Sequence, residues 1–467
     1  MRIRAKNEVL FCEKATEIYI YFIIIVLSIF CYPSYSNITE WKFKLFFLST
    51  VIYAAVLLIG NLELYLVGNK TDLLTGIKKL KQMPMVALGL YLLFCFVSFL
   101  LSEHKSLSFT GAGKFDGLAS ILLYVFAFAA IICFGRFKIE YAFSFIPVIF
   151  LNFILVIAQF FGGNPFGLYP EGMDYHDAFV LYSNEFLGTF GNVDILSAFL
   201  SMSIPLFTAL AIRSEGKSRL LFFVSLFPAS FMLFICKVYS GMVGTAAAII
   251  LLAFFIGEKK EFRSFMISLA IIVSAASFAL FMLDIFSITA SISVFILFIG
   301  LCFVKRFTRN VFLPLFLTAS ALSVIFFFLM ILNSENSDSG RLRIWKDALR
   351  IFIEHPIFGS GPGTFIEEVS FQFERYSEEL DIMIKSSIDC AHNVYLNILA
   401  STGIASLSAF VFFIISLIKG SHKSFLIFPI VSFLVCSFFS FVVCSVSAVF
   451  YIICGLAVCD KTIINQK

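Results

Sequence analysis

Apolar stretches of about twenty residues recur along the whole of this chain, and no other feature restricts its folding so severely. A helix of that length crosses the hydrocarbon core of a bilayer. In hydrocarbon, each backbone N–H and C=O must find its partner within the protein, which for a spanning segment leaves helices and closed barrels. Fourteen candidate segments can be marked: 17–32, 43–60, 84–101, 118–134, 141–161, 193–212, 220–236, 239–256, 264–283, 285–304, 311–332, 393–418, 424–441 and 442–458. Only Lys237 to Ser240 separates the seventh from the eighth, only Asp284 the ninth from the tenth, and nothing polar divides the last two. The sequence therefore predicts an all-α polytopic membrane protein with about 12–14 transmembrane helices. Composition agrees: 60% of residues are hydrophobic and 14% charged, whereas a soluble domain is roughly a quarter charged.

Other classes fall away. The eleven cysteines form no CxxC pair, and most lie inside apolar runs, where they act as small hydrophobes. No basic patch is interleaved with aromatics, so nucleic acid is not an expected partner. The bilayer is. The basic stretch Met1 to Lys14 precedes an apolar run with no small-x-small cleavage site, and reads as the start of an uncleaved first span.

Lysine and arginine distribution sets an expected orientation. With the N-terminus in the cytoplasm, the cytoplasmic segments hold 23 of the 34 basic residues, the short outer loops hold five (Lys42, Lys44, Lys105, Lys114 and Lys237), and six remain in one long outer loop. Both termini are then cytoplasmic. The chain divides into a membrane domain over 1–332 with about eleven spans and an acidic outer loop at 162–191, a large outer loop over 333–392, and C-terminal spans over 393–467. A loop of that length without low-complexity sequence is expected to be folded and functional.

That loop holds the residues able to do chemistry. Leu342, Trp345, Leu349 and Phe352 repeat at helical spacing, with Arg343, Lys346 and Arg350 on another face and Pro356 as a stop. Alone, this is a helix suited to a membrane surface, its cations on lipid phosphates. Gly359, Gly361 and Gly363 at alternate positions permit a sharp turn with close backbone approach, either to a phosphate or simply to the rest of the protein. His392 and Asn393 stand where the chain re-enters the membrane, a common place for a helix-start residue and also for a proton-transferring one.

In order and spacing, Arg341-x-Arg343-x-Trp345, His355-Pro356-x-Phe358-Gly359-x-Gly361-x-Gly363, and His392-Asn393-x-Tyr395-Leu396 with Gly403-Ile404 resemble the O-antigen ligase family of bacterial envelope enzymes. Gly188-Thr-Phe190-Gly191-Asn192 resembles a second marker of that family, and Lys114-x-x-Gly117 a third. Many members carry Ser-Arg at the start of a middle span. Here the place holds Ser240-Gly241, with Lys237 one helical turn earlier. The resemblance implies transfer of a glycan from a polyprenyl-pyrophosphate donor to a sugar or protein hydroxyl at the outer face of the bacterial cytoplasmic membrane. His392 and Arg343 would be catalytic. Arg341, Trp345, Arg350, Gly361, Gly363, Asn393, Asn192, Lys114 and Lys237 would contact substrate. Arginines suit a leaving pyrophosphate that gains charge, and a histidine suits a hydroxyl nucleophile. No cofactor and no metal are implied. Two other readings fit the same sequence: a polymerase of lipid-linked repeat units, which shares the donor, and a lipid-linked oligosaccharide flippase. Transporters place ionisable groups near the bilayer midplane, and here they gather in an outer loop.

Overall fold

The computed structural model describes residues 2–66, 78–169, 187–285, 340–377, 382–422, 424–441 and 443–460, with isolated positions between 287 and 314. The described chain is an all-α polytopic membrane protein. Its helices are α1 (Arg2–Tyr21, continued by a π-helical turn Phe22–Leu27), α2 (Ile38–Leu66), α3 (Met83–Leu101), α4 (Lys105–Thr110), α5 (Leu118–Phe134), α6 (Phe145–Phe160), α7 (Val193–Arg213), α8 (Gly216–Ile235), α9 (Tyr239–Phe254), α10 (Lys259–Met282), α11 (Gly340–Glu354), α12 (Val394–Ser421), α13 (Ile427–Cys436) and α14 (Cys444–Cys459). Twelve of the fourteen expected spans coincide with helices of this set. The two at 285–304 and 311–332 lie outside the described residues, as does 170–186 of the acidic loop. Among the described residues, seven helices are long and apolar enough to cross a membrane, and α5, α9, α13 and α14 are shorter apolar helices.

Packing follows from what each helix can hide. In α7, residues 195 to 212 are all buried, because α8, α9, α10 and α13 surround it. Its serines turn inward at no cost in unsatisfied hydroxyls where they bond back one turn, as Ser203 does to the Phe199 carbonyl at 2.8 Å. α2 and α3 instead leave Leu48, Ile52, Leu58, Leu62, Leu93 and Leu101 exposed, a surface that lipid covers.

α12 is not a continuous helix. At Gly403 the backbone turns to φ 76° and ψ 179°, which breaks the i to i−4 ladder. The freed groups are matched by the turn 356–361. Ile404 N–H donates to the Pro356 carbonyl at 3.0 Å, and Gly361 N–H donates to the Ser401 carbonyl at 2.7 Å. Irregular backbone at this depth is stable only when protein supplies such partners.

α11 packs on the protein through a face other than its regular apolar stripe. The face it buries is Ile344, Asp347, Ala348 and Ile351, packed with Phe365, Ile388 and Ala391. Leu342 and Leu349, of the apolar stripe read from the sequence, are exposed with Ile353. Hydrophobic on both sides, the helix offers its protein-facing stripe to residues the sequence pattern could not reveal. Beyond it, Phe373–Ser377 (β1) pairs antiparallel with Ile382–Ser386 (β2), Phe373 opposite Ser386 and Ser377 opposite Ile382. This hairpin was not predicted.

Candidate functional site

Four segments converge at one end of the bundle. They are the α4–α5 loop, the glycine turn after α11, the residues leading into α12, and the turn between α13 and α14. Between them lies a cavity of about 110 Å³, polar at Lys114, Asp116, His392, Asn393 and Asn397, and aromatic deeper down at Tyr91, Tyr124, Phe410 and Tyr451. It has room for several waters or a small polar group.

His392 stands at the polar part. Its backbone is left-handed, with φ 48°, an unusual state for a residue other than glycine. Asn393 follows in an extended conformation, and its side-chain oxygen accepts from Tyr395 N–H and Leu396 N–H, both at 3.0 Å. This is an N-cap, worth about 1 kcal/mol. Asn393 therefore starts α12, while the left-handed residue before it sets the imidazole beside the cavity. The ring meets the edge of Phe441 at 5.0 Å between centroids. Lys114 Nζ lies 3.8 Å from the centre of the same Phe441 ring, and 3.5 Å from Asp389. Burial, then Lys114 and Arg341, hold the His392 pKa down at about 4, against the opposing pull of Asp389. The imidazole is thus neutral near pH 7 and able to accept a proton or a hydrogen bond.

Asp116 escaped the sequence reading. One of its oxygens, Oδ1, is enclosed without a hydrogen bond among the described residues, and Oδ2 accepts from Asn397 Nδ2 at 3.3 Å. Burial and then the nearby Asp389 raise its pKa to about 6. Only its place beside Lys114, inside the Lys114-x-x-Gly117 pattern, pointed to it.

The other expected residues divide. Arg341 reaches Asp194, the second residue of α7, at 4.0 Å, and its charge is felt at His392. Trp345 packs edge-on against Phe438, and its buried indole N–H has no hydrogen-bond partner among the described residues. Arg343 is exposed, its guanidinium 4.0 Å over the Phe371 ring. Arg350 is occupied within the protein, bonding Asp347 at 2.8 Å, Glu354 at 2.7 Å and the Glu368 carbonyl. Gly361 and Gly363 meet protein: a Cβ on Gly361 would fall 2.3 Å from Ser102 Oγ, and one on Gly363 2.6 Å from Gly111 Cα. Asn192 caps α7, accepting from Asp194 N–H at 2.8 Å. The marker before it is fixed to α6 and α1, with Thr189 N–H donating to Asn152 Oδ1 at 2.7 Å and Thr189 Oγ1 to the Ser28 carbonyl at 2.8 Å. Lys237 is exposed in the α8–α9 turn, with φ 56°, and does not line the cavity.

One cluster among the described residues has the donors for a cation: Glu354, His355 and Glu368, with ligand atoms within 4.8 Å of one another. It is largely exposed, does not line the cavity, and Glu354 already pairs with Arg350.

Residues 221–411 match the family model described as O-antigen ligase. The match takes in α11, the glycine turn, His392 and the break in α12, while Lys114, Asp116 and Asn192 precede it. No curated protein matches the chain.

Proposed function

We propose that this protein does what the O-antigen ligase match at residues 221–411 implies, using the cavity at His392 to transfer a glycan from a polyprenyl-pyrophosphate donor to an acceptor hydroxyl. The match itself supports glycan ligation by a membrane enzyme; donor, acceptor and the role of each residue are our reading. The observation that carries it is that His392 and Lys114 line one cavity, with Arg341 close enough for its charge to act on the imidazole.

The chemistry suits those groups. The bond from the sugar carbon to the pyrophosphate oxygen breaks, and the leaving group gains charge. Lys114 and Arg341 are held by their carboxylates at 3.5 and 4.0 Å. Contacts that long are weak, so a pyrophosphate oxygen can displace them and take up the cations. The acceptor hydroxyl forms the new bond to that carbon, and its proton passes to His392 as the bond forms. Arg343, exposed on α11 and outside the cavity lining, is in this reading a donor contact. Energy comes from the donor, so no nucleotide is needed, and in this reading no divalent metal either. The site lies on the outer side of the bacterial cytoplasmic membrane, with both termini in the cytoplasm.

The test is turnover of purified, reconstituted protein with a lipid-linked glycan donor and a hydroxyl acceptor, in excess EDTA. Wild-type protein should release polyprenyl pyrophosphate in step with acceptor glycosylation. Movement of intact donor across the bilayer without release would replace the enzyme by a flippase. Turnover that requires added magnesium would overturn metal independence and turn attention to Glu354, His355 and Glu368.

A further inference from the structure

The turn that carries His392 is held from outside its own segment. Ala391 is fully buried, and its N–H donates to Asn397 Oδ1 at 3.1 Å. Asn397 Nδ2 donates in turn to Asp116 Oδ2 at 3.3 Å. A carboxamide offers a donor and an acceptor on the two arms of one group, so Asn397 can serve both neighbours at once where an ionised aspartate or a leucine could not. Asp116 has little freedom to move away. A Cβ on Gly111 would lie 2.8 Å from its Oδ1, and one on Gly363 3.0 Å, so only glycine at these two positions leaves room for that oxygen, while Oδ2 meets Asn397. The neighbouring residue Phe115, with φ 52°, and His392, with φ 48°, are both in the left-handed region. Such backbone persists only where surrounding contacts determine it.

We propose that Asp116 is a positioning residue: its carboxylate orients Asn397, Asn397 fixes the Ala391 N–H, and the left-handed turn so held keeps the His392 imidazole at the cavity. The inference rests on the reading of His392 as the group that meets the acceptor hydroxyl. The Lys114–Asp389 ion pair joins the same two segments a few residues away, so the α4–α5 loop grips the turn at two points. Asp116 contributes the one that depends on hydrogen-bond direction and not on charge.

The full-length protein, reconstituted with a lipid-linked donor, supplies the test. Asp116→Asn keeps an acceptor oxygen for Asn397 and should stay within about threefold of wild type, whereas Asp116→Ala and Asn397→Leu should each lower kcat about tenfold or more with donor KM nearly unchanged. The double variant should be no worse than the weaker single one, because both break the same chain of bonds. Amide exchange in the peptide spanning Ala391 and His392 should accelerate in Asp116→Ala and not in Asp116→Asn. Should Asp116→Ala fail to accumulate, Asn397→Leu and Asp116→Asn carry the comparison. Near-normal kcat in Asn397→Leu overturns the proposal. So does an Asp116→Asn variant as slow as Asp116→Ala, since the charge or proton of the carboxylate would then be what matters. His392→Ala separates the two readings: if it is slow while Asp116→Ala is normal, only the positioning role falls; if it is near normal, the role of His392 falls first.

Discussion

His392 is largely buried and feels the charges of Lys114 and Arg341, and this decides both its charge and its pH behaviour. Its pKa is lowered to about 4 by burial, Lys114 and Arg341. The form that accepts a proton is the neutral one, so it persists as pH falls from neutrality and is lost only as pH approaches that value. The acid limb of kcat/KM, which reports the free enzyme, should therefore lie well below the ordinary histidine pKa of about 6.5. Lys114→Met removes a cation and leaves Asp389 unpaired, and both changes raise the histidine pKa, so the limb should move to higher pH. A limb that stays in place would mean that another group controls it. His392→Ala should slow turnover about 100- to 10,000-fold, the usual worth of general-base assistance, at unchanged membrane level. His104 and His355, exposed and away from the cavity, should tolerate alanine. His392 and Asn393 were legible in the sequence because they are adjacent and stand at a span boundary. Asp116 and Asn397 were not, since 281 residues separate them and each looks ordinary until the fold joins them.

At the scale of elements, the glycine turn and the broken α12 form one unit. The sequence showed three alternate glycines and so a close backbone approach; what approaches proves to be α12. A Cβ on Gly359 would lie 2.3 Å from the Ser401 carbonyl carbon, and one on Gly403 2.2 Å from the Ile357 carbonyl oxygen. Backbone atoms cannot yield as a flexible side chain can. Gly403→Ala should lose about 1–3 kcal/mol from the left-handed backbone alone, and more from the clash. Thermal unfolding of the purified variant checks this, and an unchanged Tm would show that the break is soft. α11 was legible as a helix, from its spacing and Pro356, but its inward face was not. With apolar residues on two sides, the choice went to Ile344, Ala348 and Ile351, which meet Phe365, Ile388 and Ala391. Arg350 likewise looked like a substrate contact until the fold brought Glu368 to it.

For the whole molecule, the helices were legible because the bilayer demands long apolar runs; their orientation depends on charge. Among the described residues, three of the basic residues assigned to the cytoplasm, Lys79, Arg136 and Lys138, lie near the start of α3 and the end of α5. Lys79 Nζ donates to the Cys133 carbonyl at 3.0 Å, Lys138 pairs with Glu17 at 2.9 Å, and Arg136 pairs with Glu13 at 2.5 Å. α3 begins beside Lys79 and ends at Ser102, against the glycine turn, so one helix measures the distance between the basic end and the cavity. If the basic end is cytoplasmic, the cavity and the α11 loop face outward, where a lipid-linked glycan and a water-borne acceptor can meet. A single cysteine in place of the exposed Gln372, in an otherwise cysteine-free chain, should react with a membrane-impermeant maleimide in intact cells. A second cysteine replacing Lys217, exposed in the first turn of α8, should react only after the cells are opened. The reverse pattern would invert the molecule and place the cavity where the donor is assembled. Reaction at both positions in intact cells would mean that the helices do not divide two compartments as the charge pattern requires.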